Sequence, residues 1–298
     1  KPSPIITEKM TLAKDNDQYR LYEVKIDVGL NEFDHDSIIT FDYYEQQSEA
    51  PSPVVILLPI LNGKKHLMRP FASLFADKGY SVIIIDTLQG STLLDDLKDP
   101  EPSIRKALQR HRRVIDWAES RDQLDISRLG VLGVSLGGFN ALYLSALDKR
   151  VNVASIALAG GSLPDLLVNS DERRITEAVA GVKEDLSLDD QQLMEYLQQK
   201  IVSDTLVIAP HVNADRMLMV LAKYDKSVPY SNQLELYNAM GQPEAVTLPT
   251  GHNSAAIYIF SFRQRVLAFF NKKLSEGSKS GTAAISPDYC EEFFAAQE

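Results

Sequence analysis

The amino-terminal part of the chain alternates between apolar and polar residues in two stretches. Residues 18–28 (QYRLYEVKIDV) and 36–46 (DSIITFDYYEQ) alternate in this way, which is typical of strands with one buried face. We predict that they form an antiparallel pair joined by a turn. Residues 1–18 are polar and show no period, so we expect them to form a loose lead-in without regular structure.

Short apolar runs then alternate with helical patterns. Residues 54–61 (VVILLPIL) and 81–86 (SVIIID) are apolar on both faces, as strands inside a parallel sheet are. Apolar residues recur at helical spacing over about 67–78 and over 102–120, and Gly79 ends the first of these helices. Each such strand and the helix after it form a unit of a parallel sheet.

The same alternation continues to the end of the folded part. Residues 216–225 and 244–249 have strand patterns, and 257–274 has the pattern of a final helix. We predict one α/β domain over 1–275, with a mostly parallel central sheet of about eight strands flanked by helices. The Gly/Ser-rich start of 276–298 predicts a flexible tail.

An insertion at about 162–206 interrupts the alternation with two amphipathic helical patterns. The second begins with Ser187-x-x-Asp190, which resembles a capping box. Ligands bind at the carboxyl ends of parallel strands. We expect both attachment points of the insertion at that end, so we interpret it as a small helical lid. We then expect some of its apolar side chains to line an acyl pocket: Leu193, Met194 and Leu197. The alternative is a peripheral helical pair with only structural value.

Composition narrows the function classes. The chain has 298 residues, 44% of them hydrophobic, so it can build a sizeable core. A net charge of −10 and the absence of a long basic cluster argue against a nucleic-acid partner. Cys290 is the only cysteine, which excludes internal disulfides and cysteine-based zinc sites. No apolar run has the length of a membrane span. The chain starts at Lys1 rather than methionine, so cytoplasmic and exported locations both stay open.

Glycines surround one serine where a buried strand gives way to a small-residue helix. The segment reads Gly133-Val134-Ser135-Leu136-Gly137. A sharp strand-to-helix turn strains the backbone of the serine, and its neighbours must be small to avoid a clash. The turn lifts the hydroxyl above the sheet beside a helix N-terminus, where an oxyanion is stabilised. The pattern favours Ser135 as a nucleophile; an ordinary glycine-rich turn is the alternative.

A serine nucleophile needs a base, usually a histidine. His252, in LPTGHNSA, directly follows the last predicted strand and therefore lies at the same end of the sheet as Ser135. We predict that His252 is the base. His111 lies among arginines in a helix, which indicates a solvated residue, and no strand end fixes His211. The other two histidines are His35 in the hairpin turn and His66 at the start of the first helix.

A carboxylate must hold the imidazole in the right tautomer and stabilise the imidazolium. Asp225 ends a predicted strand one strand–helix–strand unit before His252. The chain order Ser, Asp, His matches the order expected for this serine turn. Asp165, just past another strand end, is the alternative. Asp86 also ends a strand but precedes Ser135, so we expect it to support loops.

These motifs together resemble the α/β-hydrolase family, over about residues 20–274. The residues that carry the resemblance are ILLPILNG, GYSVIIID, IDWAESRDQLDISRLGVLGVSLGG, AKYDKSVPY and TGHNSA. The third and fourth are similar to the branch of dienelactone hydrolase-like and acyl-peptidase-like enzymes. The resemblance implies an α/β-hydrolase fold with Ser135 as nucleophile, Asp225 as acid and His252 as base.

One segment departs from the family pattern. Family members often have His-Gly after the first buried strand, where a backbone N–H completes the oxyanion hole. This chain has Pro59-Ile60-Leu61-Asn62-Gly63 there, and Pro59 has no N–H to donate. We expect the donors to be Leu61, or its neighbour Ile60, together with Leu136.

The hypothesis from the sequence is a serine esterase that forms an acyl-enzyme on Ser135 with a small-molecule ester. No metal or organic cofactor is expected, since the chain has no ligand cluster or dinucleotide motif. A peptidase or amidase would use the same residues. Esters are favoured because they need less leaving-group help and because no propeller or other gating domain is recognisable. A non-catalytic hydrolase-fold binding protein is the alternative of another class, and such proteins usually lack one member of the triad.

Overall fold

The computed structural model describes residues 5–29, 37–61, 65–86 and 92–276. Among these residues, nine strands form one sheet in the order β1-β2-β3-β5-β4-β6-β7-β8-β9. The strands are Thr7–Asp15 (β1), Tyr19–Asp27 (β2), Ile38–Gln46 (β3), Ser52–Leu58 (β4), Ser81–Ile85 (β5), Leu124–Val134 (β6), Val151–Ala157 (β7), Met217–Ala222 (β8) and Glu244–Leu248 (β9). His35, Cys290 and the predicted tail beyond Glu276 lie outside the described residues.

The sheet has an antiparallel edge and a parallel centre. β1, β2, β3 and β5 pair antiparallel in that order. The strands β5, β4, β6, β7, β8 and β9 pair parallel. The prediction of a mostly parallel sheet is therefore confirmed, with nine described strands where about eight were predicted.

The prediction of a loose lead-in over residues 1–18 is wrong, because Thr7–Asp15 form the edge strand β1. All nine residues of β1 are exposed, so neither face selects apolar side chains and no alternation appears. The strand is fixed instead by its register with β2, in which Met10 pairs with Val24. Glu8 also accepts a hydrogen bond from Trp117 Nε1 at 3.2 Å.

Helices cover both faces of the sheet. The helices that flank the sheet are Arg69–Ala76 (α1), Glu101–Glu119 (α2), Leu136–Leu147 (α3), Tyr230–Ala239 (α8) and Ile259–Ser275 (α9). Helices α1 and α9 share one apolar cluster, in which Phe71 contacts Phe262 and Phe75 contacts Phe270. Helices α2, α3 and α8 contribute to the cluster on the other face, which includes Trp117.

His111 is buried in α2, so the expectation of a solvated histidine is wrong. It occupies an inward position of the helix, between Leu108 and Val114, which are also buried. Burial lowers the pKa of His111 to about 3, and the charge of Arg110 acts in the same direction. The imidazole is therefore neutral in the folded protein near neutral pH.

We expect acid to destabilise the protein through His111. An unfolded histidine has a pKa of about 6.5, so below that pH the unfolded chain binds a proton that the folded chain refuses. The contribution of the neutral His111 to the free energy of unfolding is therefore present above pH 6.5 and is lost progressively as the pH falls towards 3. Between pH 7 and pH 5 this group lowers the free energy of unfolding by about 2 kcal/mol. Urea unfolding at both pH values measures the loss, which His111→Gln removes and the exposed control His66→Gln retains. An equal loss in His111→Gln and the wild type would contradict the assignment.

The insertion between β7 and β8 contains four further helices. The two long ones match the predicted amphipathic patterns, but their boundary differs from the prediction. Asp189, not Ser187, caps α6, and it forms the capping box with Gln192. Ser187 is instead the C-cap of α5 and has a left-handed backbone, whereas an N-cap residue typically has extended backbone angles. The helices are Leu163–Asn169 (α4), Arg173–Leu186 (α5), Asp190–Lys200 (α6) and Thr205–Ile208 (α7).

The two ends of the insertion lie side by side at one end of the sheet. The chain leaves β7 after Ala157, at the carboxyl ends of the parallel strands. At the second end of the insertion, Thr205 Oγ1 donates to the carbonyl of Gly160 at 2.8 Å, and Asp204 Oδ2 accepts the Leu163 N–H at 2.5 Å. Both attachment points therefore lie at the carboxyl end, as predicted. The chain then passes α3 through α7 and reaches the start of β8, which lies at the opposite end of the sheet.

The apolar side of the insertion packs against the loop before α2. Leu193 and Leu197 of α6 are fully buried in a cluster with Leu97. Because this cluster fills their surroundings, they are not among the described residues that line the cavity beside Ser135. The expectation that Leu193, Met194 and Leu197 line an acyl pocket is therefore wrong, and residues of α4 and α5 take that place.

Candidate active site

Ser135 stands on a strained turn between β6 and α3. Its backbone has φ 54° and ψ −120°, a conformation that L residues rarely adopt. The flanking glycines are required by close packing. A Cβ on Gly133 would lie 1.8 Å from the carbonyl oxygen of Gly137, and one on Gly137 would lie 1.9 Å from that of Leu58. The Ser135 N–H donates to the carbonyl of Ala157 on β7 at 2.8 Å, which holds the turn at the carboxyl end of the sheet.

The structure brings the three sequence-predicted side chains together in one hydrogen-bonded chain. His252 Nε2 lies 3.0 Å from Ser135 Oγ. On the other side of the ring, His252 Nδ1 lies 2.7 Å from Asp225 Oδ2. The Asp225 side chain is fully buried, whereas the His252 side chain is 16% exposed. One imidazole therefore connects a buried carboxylate to an accessible hydroxyl.

Three further groups hold the Asp225 carboxylate in place. The N–H groups of Ser227 and Val228 donate to Oδ1, each at 3.0 Å. Gln233 Nε2 donates to Oδ2 at 3.1 Å and to the Val228 carbonyl at 2.8 Å. The Gln233 Oε1 atom accepts the Ala222 N–H at 2.9 Å. The buried amide thus joins the end of β8 to residues 223–229, which we call the Asp225 loop. The sequence analysis missed Gln233, and a glutamine in the first turns of a helix gives little signal of this role.

A cavity of about 220 Å³ opens beside Ser135 and His252. Leu136, the first residue of α3, also lines it, and the first N–H groups of a helix have no partner within that helix. Ile60 and Leu61 line the cavity as well. The predicted oxyanion donors thus share one cavity with Ser135, whereas Asn62 and Gly63 lie outside the described residues.

The insertion supplies much of the apolar wall of this cavity. Its contribution comes from α4 and the first turn of α5, and it consists of Leu163, Leu166, Leu167 and Ile175. Glu172, the residue that caps α5, also lines the cavity. A ligand beside Ser135 would therefore contact the sheet domain and the insertion at once.

Residues 170–172, which connect α4 to α5, form hydrogen bonds with the Asp225 loop, and we call them the insertion root. Ser170 Oγ donates to the carbonyl of Ser227 at 2.6 Å. Ser227 Oγ donates in turn to Asp171 Oδ1 at 2.9 Å, and the Asp171 N–H donates to the carbonyl of Lys226 at 3.1 Å. Since the Ser227 N–H also holds Asp225, the insertion root and the carboxylate share one hydrogen-bonded loop.

Known proteins share this fold. A family model described as the alpha/beta hydrolase fold matches residues 53–195. Acetyl xylan esterase 1 from Thermoanaerobacterium sp. JW/SL YS485 is 17% identical with a TM-score of 0.72, covering 89% of this chain and 87% of its own. An acylaminoacyl peptidase of Pyrococcus horikoshii is 15% identical with a TM-score of 0.59, covering 91% of this chain and 50% of its own. The chain is an α/β hydrolase by fold.

Curated relatives match a smaller part of the chain. An uncharacterized 31.7 kDa protein in the traX-finO intergenic region of Escherichia coli is 32% identical over 138 residues, which are 45% of this chain and 46% of that protein. The quorum-quenching protein AidA of Acinetobacter baumannii (strain MDR-ZJ06) is 26% identical over 129 residues, 40% of each chain. The chain therefore spans less than half the length of these relatives. The resemblance to the α/β-hydrolase family is confirmed by the family model and by the fold.

The alternative carboxylates of the sequence analysis lie elsewhere in the α/β hydrolase. Asp165 is on α4, where its two oxygens accept from Asn232 and Asn169, each at 2.9 Å. Asp86 forms an ion pair with Lys65 at 2.5 Å. The pairing of Asp86 with Lys65 fits the structural role expected for this carboxylate.

Two other histidines in the described part of the chain lie in 3₁₀ turns. His211 lies in a 3₁₀ turn that leads into the start of β8, at the opposite end of the sheet. His66 is exposed in a 3₁₀ turn before α1. Within the described part of the chain, no group of three or more His, Cys, Asp or Glu side chains is arranged to hold a metal ion. None of the described helices has the length and apolar character that crossing a membrane requires.

Proposed function

We propose that the protein is a serine hydrolase of carboxylic esters, with Ser135, His252 and Asp225 as its catalytic triad. The observation that carries the proposal is the hydrogen-bonded chain from Ser135 Oγ through His252 to Asp225 beside an open cavity. Further support comes from the fold, which is shared with acetyl xylan esterases. The strained conformation of Ser135 is also typical of a functional site.

In the first half of the reaction, His252 Nε2 accepts the proton of Ser135 while Oγ attacks the ester carbonyl. The new C–O bond converts the carbonyl oxygen to an oxyanion. The Leu136 N–H at the start of α3, together with the N–H of Leu61 or Ile60, would stabilise this charge. Asp225 stabilises the imidazolium and keeps Nδ1 as a donor. The intermediate then collapses, the C–O bond to the alcohol breaks, and His252 donates its proton to the leaving oxygen.

The second half repeats these steps with water. His252 accepts a proton from a water molecule, whose oxygen attacks the acyl carbonyl. Collapse of the second intermediate breaks the bond to Ser135 Oγ, which recovers its proton from His252. The products are the carboxylic acid and the free enzyme, and the steps need no cofactor. Amide hydrolysis would follow the same steps with an amine as the leaving group, and an acylaminoacyl peptidase has a similar fold.

We assign the acyl group to the cavity of about 220 Å³, with the insertion as its lid. An apolar cavity of about 150 Å³ holds one benzene molecule, so this cavity suits an acyl chain of about four to eight carbons. Apolar walls discriminate between acyl chains by about 1–3 kcal/mol per methylene at most. The lid assignment is supported by the four apolar lining residues from α4 and α5.

A panel of p-nitrophenyl esters and matched p-nitroanilides tests the proposal. We expect hydrolysis of the acetyl, butyryl, hexanoyl and octanoyl esters, with kcat/KM highest for the middle lengths and each anilide at least about 100-fold slower. Esters react faster because a phenolate leaves without the protonation that an anilide nitrogen requires. Anilides cleaved as fast as esters would favour a peptidase. An absence of turnover of every compound would favour the non-catalytic binding protein.

A further inference from the structure

The cavity beside Ser135 contains one charged side chain in an otherwise neutral wall. Among the described residues that line it, Glu172 is the only acidic or basic one apart from His252. No lysine or arginine is among these lining residues. Among the lining residues that the structure describes, an anionic ligand group would therefore meet a carboxylate and no lysine or arginine. The proposed mechanism does not use Glu172.

Glu172 is held in position from both sides. Its Oε2 atom accepts the Ile175 N–H at 3.0 Å as the N-cap of α5. Its own N–H donates to Ser170 Oγ at 3.1 Å, and Ser170 in turn donates to the carbonyl of Ser227. Glu172 thus belongs to the insertion root that is bonded to the Asp225 loop. The carboxylate has a fixed place relative to the triad instead of moving freely on the surface.

Capping leaves the carboxylate able to bind a ligand. An ionised carboxylate has about four acceptor positions, and the capping bond uses one of them. Glu172 is half-buried, and charges at such a site interact more strongly than in open water, because the effective dielectric constant there is about 20. A carboxylate so placed repels an anion and attracts a cation or a hydrogen-bond donor.

We infer that Glu172 is a specificity-determining residue, which makes the enzyme select esters whose acyl chain ends in a cationic or hydrogen-bond-donating group and reject esters of dicarboxylic acids. The inference rests on the proposed function and names the substrate class of the same site. Apolar lining residues bind the stem of the acyl chain, and the Glu172 carboxylate attracts a cationic group or repels an anionic group at the end of that chain.

Three p-nitrophenyl esters with acyl stems of equal length test the inference. They are the neutral hexanoate, the adipate monoester with a terminal carboxylate, and the 5-(trimethylammonio)pentanoate, each with four methylenes between the ester carbonyl and the terminal group. The quantity measured is the ratio of kcat/KM for the cationic ester to that for the anionic ester. We expect the wild-type ratio to be at least about 10, and Glu172→Gln to lower it about tenfold. The glutamine oxygen can still accept the Ile175 N–H, so the cap of α5 is preserved.

Glu177→Gln is the matched control. It removes the same charge from the same helix, but Glu177 is exposed, pairs with Arg173 and is not among the described cavity residues. The control should keep the ratio within about twofold of the wild type. If both variants lower the ratio equally, or if Glu172→Gln leaves it unchanged, the inference is overturned. If Glu172→Gln does not fold, Glu172→Thr supplies another capping oxygen without the charge and is judged by the same ratio.

The neutral ester separates this inference from the proposed function. Ser135-dependent hydrolysis of the hexanoate with an unaltered charge ratio overturns the role of Glu172 and leaves the esterase intact. If the wild type hydrolyses none of the three esters, the proposed function fails, and the inference about Glu172 fails with it.

Discussion

Ser135→Ala is expected to lower kcat for the hexanoyl ester by about 10⁴ to 10⁶ while the folded structure is retained. Without Oγ no acyl-enzyme forms, and only direct attack by water remains. The turn itself tolerates alanine, since Ser135 makes its fold-holding contact to Ala157 through the backbone N–H. Burst kinetics and covalent labelling by a fluorophosphonate probe measure the change: the wild type is labelled once and the variant is not labelled.

A second serine on the neighbouring helix provides the control for this experiment. Ser145 lies on α3 and donates its hydroxyl proton to the carbonyl of Ala141 at 2.6 Å. Ser145→Ala should keep both labelling and turnover close to wild type. Full labelling of Ser135→Ala would show that another residue is the nucleophile.

Asp225→Asn is expected to lower kcat by about 10⁴, through the tautomer of His252. The asparagine can still accept the N–H groups of Ser227 and Val228 through its oxygen. Its NH₂ group then faces His252 Nδ1 and donates to it, which moves the imidazole proton to Nε2. That nitrogen can no longer accept the Ser135 proton. Steady-state kinetics on the hexanoyl ester measure the effect, together with thermal unfolding to check the fold.

Asp165→Asn is the matched control for the carboxylate. Asp165 was the alternative acid in the sequence, and the structure pairs it with Asn232 and Asn169. Its replacement should leave kcat within a few-fold of wild type. The assignment of Asp225 would be refuted by a mild effect there combined with a severe loss in Asp165→Asn.

The arrangement of the candidate site could be predicted because it follows from strand ends. Ser135, Asp225 and His252 each follow a parallel strand, and parallel strands bring their carboxyl ends to one edge of the sheet. A hydroxyl, an imidazole and a carboxylate at one edge then favoured the roles of nucleophile, base and acid. No knowledge of the loops was needed, since strand direction alone places all three side chains at one edge.

Other features could not be predicted, because they depend on contacts between distant segments. β1 carries no alternation, since both of its faces are exposed, so only its pairing with β2 reveals it. Gln233 has its role because the chain folds back to place its amide between β8 and the Asp225 loop. His111 stands among arginines in the sequence, which favours an exposed position, yet packing of α2 against the sheet buries it.

The insertion residues that line the cavity beside Ser135 also could not be predicted from the sequence. The periodicity of α6 correctly gives Leu193 and Leu197 an apolar environment, but periodicity does not say which apolar neighbour they face. They face Leu97 and the rest of the insertion cluster, while the cavity is lined by Leu163 and Ile175. Amphipathic helices thus reveal a buried side, and only the tertiary structure reveals what it is buried against.

The hydrogen bonds of the insertion root have a consequence for protein engineering. The insertion is a natural unit to exchange in a chimera, because it supplies four apolar residues of the cavity wall and no strand of the sheet. Here Ser170 and Asp171 also bond to Ser227, whose N–H holds Asp225. A transplanted insertion that replaced residues 170–172 would loosen the support of the Asp225 carboxylate and would also change the cavity beside Ser135. A chimera should therefore place its first junction after Glu172, so that the recipient keeps its own root.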